Sequence, residues 1–262
     1  MFDAHAHLHD VEIAAKIDRI VSDAAAAGVT GVCSCGTRPA DWPATQALLS
    51  KPLPLICVPG FGVHPWYADK LPHAWMETLE GYLDGNPVAA VGEIGLDGIR
   101  RAVPADVQEQ VFLAQLELAE RMARPVVLHG ARAWGRLVDV MRAHAHKVPG
   151  FVAHGFGGSR EILARIVDMG GYVSFAGNVC NPKAAKVRAA ARETPDSQIL
   201  IETDTPDLFP AGGKQAGTGA GGKPLNQPCN LKLVLEQVAD LRGTDADTLA
   251  DLTAANARRV LL

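Results

Sequence analysis

The sequence lacks an excess of basic residues. Its 25 lysines and arginines are outnumbered by 29 aspartates and glutamates, which gives a formal net charge of −4. This balance does not support sequence-independent DNA binding by a surface rich in lysine and arginine. Bound metal ions can still supply positive charge locally, so phosphate-containing substrates are not excluded.

The sequence also lacks a positively charged, apolar N-terminal signal and any apolar run long enough to span a membrane. Candidate ligand residues begin at position 5, so we expect no cleaved leader. The five cysteines are an odd number and favour reduced thiols. No second Cys/His pair at structural-zinc spacing accompanies Cys33 and Cys35, which argues against a zinc site there. We therefore expect a cytoplasmic protein with no membrane and no obligatory protein partner.

Nucleotide-binding signatures are missing as well. No G-x-G-x-x-G follows the first predicted strand, and the glycine-rich stretch 209–224 lacks the G-K-[ST] ending of a phosphate-binding loop. We interpret residues 211–222 as a flexible loop, either a mobile rim over a site or a disordered insertion. No repeat or linker divides the chain, so residues 1–262 are expected to form a single domain.

What is present is a regular alternation of apolar strands with amphipathic helices. The pattern predicts strands at 2–8, 29–35, 53–58 with an extension towards His64, 88–93, 126–129, 151–154, 172–175 and 199–202. Helices are predicted at 11–27, 39–49, around Leu79, and at 105–122, 134–144, 160–169, 183–192, 231–241, 245–252 and 254–261, the first capped by Asp10. Eight such units predict an α/β TIM barrel, (β/α)8, with an open doubly wound sheet as the alternative.

The first strand carries an H-x-H pattern. In Phe2-Asp-Ala-His-Ala-His-Leu8 the side chains of Asp3, His5 and His7 alternate with apolar residues, so we expect them on one face. Buried imidazoles need partners for both ring nitrogens, and neutral imidazole is the commonest protein ligand of transition metals. Two ordinary surface histidines near a terminus are the alternative.

Further polar residues terminate the apolar runs of other predicted strands: Glu93, His129, His154 and Asp204. The carboxyl ends of barrel strands share one rim, where active sites occur. We therefore predict a two-metal site. His5, His7, Glu93 and Asp204 would hold one ion, and Glu93, His129 and His154 would hold the other. Mg, Mn or Zn are all compatible with these ligands.

Other residues near these strand ends have less certain roles. In the predicted mechanism, Asp204 is the general base and Glu93 bridges the two ions. His64 is either a donor to a phosphate oxygen or a turn residue before Pro65. Glu202 is expected to orient a ligand histidine. Trp66 and Trp134 either stack on a base or pack at the rim.

The chain resembles the TatD-type metal-dependent hydrolases of the amidohydrolase-like barrel group, over nearly its whole length. The matching stretches are 2–8, 62–65, 91–97, 108–119, 125–129, 154–159, 202–206 and 256–259, and His154-Gly-Phe with Thr205-Pro-Asp207 resembles the YjjV-like branch. The resemblance implies a TIM barrel, two metals bound by the residues above, and phosphodiester hydrolysis. The expected activity is that of a DNase acting on 3′ ends.

The sequence departs from this family at the substrate side. The usual Ser-Arg after the histidine of the fifth strand is Gly130-Ala131, so that Arg132 is the residue left to contact a phosphate. An aromatic usually follows Asp97, where this chain has Gly98, and Asn-Gln227-Pro replaces Asn-Glu-Pro. Two other functions therefore remain open, an amidohydrolase or lactonase on the same metals and a metal-binding protein without catalysis.

Overall fold

A computed structural model describes residues 1–100 and 102–262 of the chain. Within these residues, eight parallel strands follow one another around a sheet in sequence order, each hydrogen-bonded to the next. They are β1 Phe2–Ala6, β2 Gly31–Cys35, β3 Ile56–Phe61, β4 Ala90–Gly95, β5 Val126–His129, β6 Phe151–Ala153, β7 Tyr172–Phe175 and β8 Ile199–Ile201.

The barrel closes where β8 meets β1. Asp204 N donates to the carbonyl of His5 at 3.0 Å, and His7 N donates to that of Thr205 at 2.7 Å. The buried carboxylate of Asp3 accepts hydrogen bonds from Thr203 N at 2.8 Å and from Thr203 Oγ1 at 2.6 Å. The predicted TIM barrel is therefore confirmed, and the open doubly wound alternative is wrong.

Helices cover the outside of the barrel. They are α1 Ile17–Ala26, α2 Trp42–Leu49, α3 Trp75–Asp84, α4 Ala105–Arg121, α5 Trp134–Met141, α6 Arg160–Asp168, α7 Ala185–Glu193, α8 Leu231–Arg242 and α9 Ala246–Leu261. Within residues 1–100 and 102–262, no helix combines the length and apolar character needed to cross a bilayer.

The interior of the barrel below the strand ends is filled by apolar side chains. Phe2, Val58, Val127 and Leu200 are fully buried in one cluster, together with residues of α9 that close the N-terminal end of the barrel. A packed interior of this kind makes the barrel a solid support rather than a pore. Chemistry is therefore confined to the opposite rim.

The predicted helices differ from the structure at both ends of the chain. The first was expected to begin after Asp10, but α1 begins at Ile17, after a short 3-10 turn at Ala14–Lys16. Asp10 instead caps a turn, with its side chain accepting from Glu12 N at 2.7 Å. The last two predicted helices are one continuous helix, α9, within which Thr253 Oγ1 donates to the carbonyl of Leu249.

The glycine-rich stretch 211–222 also differs from the expected loop. Strands β9 Gly217–Thr218 and β10 Pro224–Leu225 form a short antiparallel hairpin within this region. Ala216 and Leu225 are buried in one cluster with Ile13, which precedes α1, and Ile20, which lies within it. Ala220 N also donates to Glu12 Oε1 at 3.0 Å. The glycines therefore lie next to a packed hairpin. The glycine-rich composition gave no sign of the few apolar residues that hold this hairpin in place.

Candidate metal centre

The predicted ligands meet at the carboxyl ends of the strands. His7 directly follows β1, His129 is the last residue of β5, and His154 directly follows β6. Glu93 lies inside β4, two residues before its end, and not at the end as expected. The structure therefore brings together side chains that are up to 199 positions apart, counted from His5 to Asp204.

Four donor atoms surround one point at this rim. The Nε2 atoms of His5 and His7 lie 3.2 Å apart, and each is 3.3 Å from Glu93 Oε2. Each is also 3.6 Å from Asp204 Oδ1. A tetrahedral ion with ligands at 2.0–2.1 Å requires donor separations of roughly 3.3–3.4 Å. The four atoms therefore have the spacing of a four-coordinate site.

The other oxygen of Glu93 faces a second group of donors. Glu93 Oε1 is 2.7 Å from His129 Nδ1 and 2.7 Å from His154 Nε2, and these two nitrogens are 3.4 Å apart. One carboxylate thus presents one oxygen to each group, which is how a bridging ligand serves two ions. The structure therefore brings the residues of both predicted ligand sets together at one rim, although His154 also lies close enough to His5 and Asp204 to share an ion with them.

Three histidines have their outward-facing nitrogen bound to an acceptor. His7 Nδ1 donates to the carbonyl of Cys35 at 2.8 Å, and His129 Nε2 donates to Asp97 Oδ2 at 3.0 Å. His154 Nδ1 faces Glu202 Oε1 at 3.4 Å, as expected for Glu202. Each bond places the proton on the outward nitrogen and leaves a lone pair on the inward one. This arrangement is typical of histidines that bind metals.

His64 has the opposite arrangement. Its Nδ1 accepts a hydrogen bond from Trp66 N at 3.1 Å, so in the neutral ring the proton resides on Nε2. Nε2 points towards Glu93 Oε1 at 3.5 Å. By position His64 could join Glu93 and His129 as a third ligand. His64 thus caps the 3-10 turn at Pro65–Tyr67, which is one of its two predicted roles, and Nε2 remains a hydrogen-bond donor at the edge of the centre.

The electrostatics of the centre favour bound positive charge. Burial alone would raise the pKa of Glu93, but the neighbouring imidazoles of His154, His64 and His5 hold that pKa well below its usual range. Burial lowers the pKa of His5 to about 4 and that of His64 well below its usual value. Burial alone would lower the pKa values of His7, His129 and His154, but hydrogen bonds and charges from neighbouring carboxylates raise all three above the usual value. A metal ion bound by these imidazoles would displace the protons from their inward nitrogens.

Local backbone geometry sets two of these positions. Asp204 has a left-handed φ of 55°, which aspartate tolerates better than most residues. Gly95 has a φ of 142°, and a Cβ there would lie 2.1 Å from the carbonyl oxygen of His129. Only glycine therefore permits β4 and β5 to approach so closely beside Glu93.

Two side chains have roles that differ from the sequence interpretation. Asp97 was quoted only as part of a motif, yet it fixes His129 and accepts from Trp66 Nε1 at 2.8 Å. It is the next polar residue after Glu93 at the end of β4, which is the signal that could have identified it. Asp3 does not join the centre, because the register of β1 shifts between Asp3 and Ala6.

A cavity of about 280 Å³ opens above the centre. Its wall includes Trp66, which is 36% exposed. Trp134 is buried against Phe156 and is therefore a packing residue. This agrees with packing at the rim, one of the two roles predicted for it. Arg132 is exposed and has a left-handed φ of 50°, and it is not among the described residues that line the cavity.

The departures after β4 and β5 are physically connected. A Cβ at Gly130 would lie 2.4 Å from the ring of Trp134, which therefore fills the space of the serine side chain usual at this position. A Cβ at Gly98 would lie 2.9 Å from the carbonyl oxygen of Arg132, and Gly98 N donates to that of Ala131 at 2.8 Å. These two loops thus pack backbone against backbone.

Comparisons with known proteins agree with this geometry. The family described as TatD related DNase matches residues 2–262. The chain belongs to the TatD DNase family. This membership confirms the predicted family and reaction class, so the TatD chain described here is a hydrolase of phosphodiester bonds.

Individual relatives cover the TatD chain almost completely. It is 34% identical over 261 residues to the 3′-5′ ssDNA/RNA exonuclease TatD of Pantoea ananatis, covering 99% of this chain and 98% of that protein. The crystal structure of the TatD homologue YJJV from Escherichia coli superposes with a TM-score of 0.89 at 28% identity, covering 100% and 97%. A TatD family hydrolase from Entamoeba histolytica has a TM-score of 0.88 at 18% identity, covering 100% and 98%, and shows the shared fold.

Proposed function

We propose that this chain is a divalent-metal-dependent 3′-to-5′ exonuclease acting on DNA, with two ions held by the residues predicted above. The observation that carries the proposal is the fixed orientation of His7, His129 and His154, whose inward nitrogens all converge on Glu93. The exonuclease activity named for the Pantoea ananatis relative supports the choice of substrate.

Metal ligation by these residues would supply the positive charge that the acidic chain lacks. When bound, divalent ions at such sites activate water as a nucleophile and neutralise phosphoryl charge. Asp204 is 14% exposed at the cavity floor and accepts the proton of the attacking water. His64 donates from Nε2 to a phosphate oxygen, because Trp66 N occupies its other nitrogen.

The shape of the cavity favours a chain end as substrate. It opens on one side above the ligands, and the barrel core closes it from below. Its volume of about 280 Å³ is at the lower end of the range for ligand pockets. A terminal nucleotide suits such a blind cavity better than a strand that has to pass through it.

Residence in the cytoplasm, expected from the free cysteines, is part of the proposal.

The decisive test is trimming of a 3′-hydroxyl single-stranded oligonucleotide by metal-stripped protein supplied with Mg²⁺, Mn²⁺ or Zn²⁺. Asp204→Asn is expected to keep the fold, checked by circular dichroism, and to lose roughly 10²–10⁴-fold in rate, the usual contribution of a general base. Asp168→Asn is the matched control, because this exposed aspartate ends α6 on the far side of the barrel.

The outcomes of this test separate three reaction classes. Metal-dependent trimming with full activity in Asp204→Asn would remove the general-base role but not the nuclease. No trimming with any metal, together with hydrolysis of amides or lactones, would replace the nuclease with a carbonyl hydrolase. Normal metal loading without turnover of any substrate would indicate a binding protein.

A further inference from the structure

We propose that Arg38, and not Arg132, is the cation that binds the non-scissile phosphate adjacent to the scissile one in the nucleic-acid substrate. The inference rests on the proposed nuclease function and assigns a substrate contact within it. Arg38 follows β2 at the same rim as the metal centre and lines the cavity. Among the described residues that line the cavity, it is the one arginine or lysine.

The guanidinium of Arg38 is held in place from two sides. Nε donates to Asp41 Oδ1 at 3.2 Å, and Cζ lies 4.7 Å from the centre of the Tyr67 ring. Asp41 is itself fixed by Thr37, whose hydroxyl donates to Oδ2 at 2.6 Å. Because both contacts restrict the side chain before substrate binds, less conformational entropy is lost on binding.

These contacts leave the two Nη atoms of the Arg38 guanidinium available to a ligand. Neither Nη atom of Arg38 has a hydrogen-bond partner among residues 1–100 and 102–262, and the side chain is 47% exposed. Two parallel N–H groups on a planar fork match the geometry of two phosphate oxygens. The backbone is also anchored to the centre, because His64 N donates to the carbonyl of Thr37 at 2.8 Å.

The acidic residues on the rim side of the cavity wall have partners already, and Asp41 is the one that pairs with Arg38. Asp207 forms an ion pair with Lys223, and Asp41 is engaged by Arg38, Thr37 and, at 3.8 Å, His9. Asp10 Oδ1 accepts from the backbone of Glu12. A phosphate entering beside Tyr67 therefore faces the guanidinium rather than a free carboxylate.

The experiment compares Arg38→Gln, Arg38→Lys and Arg132→Gln with the metal-loaded wild type. Substrates are a single-stranded oligonucleotide and bis(p-nitrophenyl) phosphate, which has no second phosphate. Arg38→Gln should raise KM for the oligonucleotide about tenfold, the loss of a charged hydrogen bond, with kcat little changed. Turnover of the small diester should stay at the wild-type value.

The salt dependence distinguishes a phosphate contact from a structural role. For single strands, loss of one phosphate contact reduces the slope of log KM against log salt by about 0.7. Arg38→Gln should show this reduction, whereas Arg38→Lys should keep the slope because it keeps the charge. Arg121→Gln is the matched control, since Arg121 is similarly exposed, pairs with Glu80 at 2.9 Å and ends α4 at the opposite face.

The assignment of the phosphate contact to Arg38 would be overturned, with the proposed function left intact, by an unchanged KM and slope in Arg38→Gln. The full effect in Arg132→Gln instead would also overturn it. An equal loss on both substrates would also overturn it, because that pattern indicates a disturbed centre. A wild-type protein that cleaves no oligonucleotide would overturn the proposed function and this contact together.

Discussion

At the scale of single residues, Asp97 controls the orientation of His129. Its Oδ2 receives the proton of His129 Nε2 and also the indole N–H of Trp66. Burial alone would raise the pKa of Asp97, but hydrogen bonds from His129, the Arg100 backbone and Trp66 hold that pKa far below its usual range. An ionised Asp97 therefore keeps the Nδ1 lone pair of His129 directed at the centre.

Asp97→Asn is expected to weaken metal binding by about 10–100-fold, the usual effect of removing such a partner. An amide can present its N–H₂ to His129 and reverse the preferred tautomer, which removes the inward lone pair. Calorimetric titration of stripped protein with Zn²⁺ or Mn²⁺ measures the loss. Unchanged affinity in both titrations would show that His129 needs no such orientation.

The convergence of the candidate ligands could be predicted from sequence because each is a polar residue at or near the end of an apolar strand. Barrel topology then places them on one rim, whatever their separation in the chain. The role of His64 could not be predicted, since it depends on the N–H of Trp66 reaching Nδ1. The positions of Arg38 and Arg132 depend on loop conformations, such as the φ of 50° at Arg132.

At the scale of elements, α4 positions two segments of the rim from behind. Gln108 Oε1 accepts from Asp97 N at 2.8 Å, and Gln115 Oε1 accepts from Val63 N at 2.6 Å. Both glutamines are buried and also donate to backbone carbonyls. The residues that orient the centre are therefore supported by a helix as well as by strands.

The pairing of β4 with β5 depends on Gly95. We expect Gly95→Ala to lower the free energy of unfolding by more than about 2 kcal/mol, because the new Cβ would meet the carbonyl of His129 at a position with positive φ. Urea denaturation measures this loss.

Gly135→Ala is the matched control, since nothing lies within 4 Å of its Cβ position in α5. It should be neutral or stabilise by up to about 1 kcal/mol. Equal stability of the two alanine variants would mean that the close approach at Gly95 is not required.

Element boundaries were predicted unevenly. The bounds of β5 and β7 match those expected, whereas β3 begins at Ile56 rather than residue 53 and extends through Pro59 and Gly60 to Phe61. The third strand was predicted to extend from residue 58 towards His64, and β3 does continue in that direction although proline and glycine usually interrupt strands. The hairpin within the glycine-rich stretch was missed because its packing on α1 involves only a few apolar residues.

At the scale of the whole molecule, the centre joins β1, β4, β5, β6 and the segment after β8. A metal that binds only the closed barrel stabilises it by mass action, by about 2.7 kcal/mol at a hundredfold excess over Kd. For a chain of this length we expect Tm to rise by about 5–10 °C. Thermal scans with a chelator and with added Mn²⁺ or Zn²⁺ measure the shift.

Glu93→Gln should lose most of this rise, because the bridging carboxylate faces both groups of donors. Asp168→Asn should retain it, as a surface change far from the centre. Identical Tm values with chelator and with metal in the wild type would show that the cluster is not a metal site.

The seam between β1 and β8 also has a consequence for synthesis of the protein. Asp3 and Thr203 are 200 positions apart, and His5 and Asp204 flank the same seam. A nascent chain on the ribosome therefore carries His5 and His7 long before their acidic partners have emerged from the exit tunnel. The centre of this hydrolase therefore cannot be completed before Asp204, nearly four-fifths of the way along the chain, has been made.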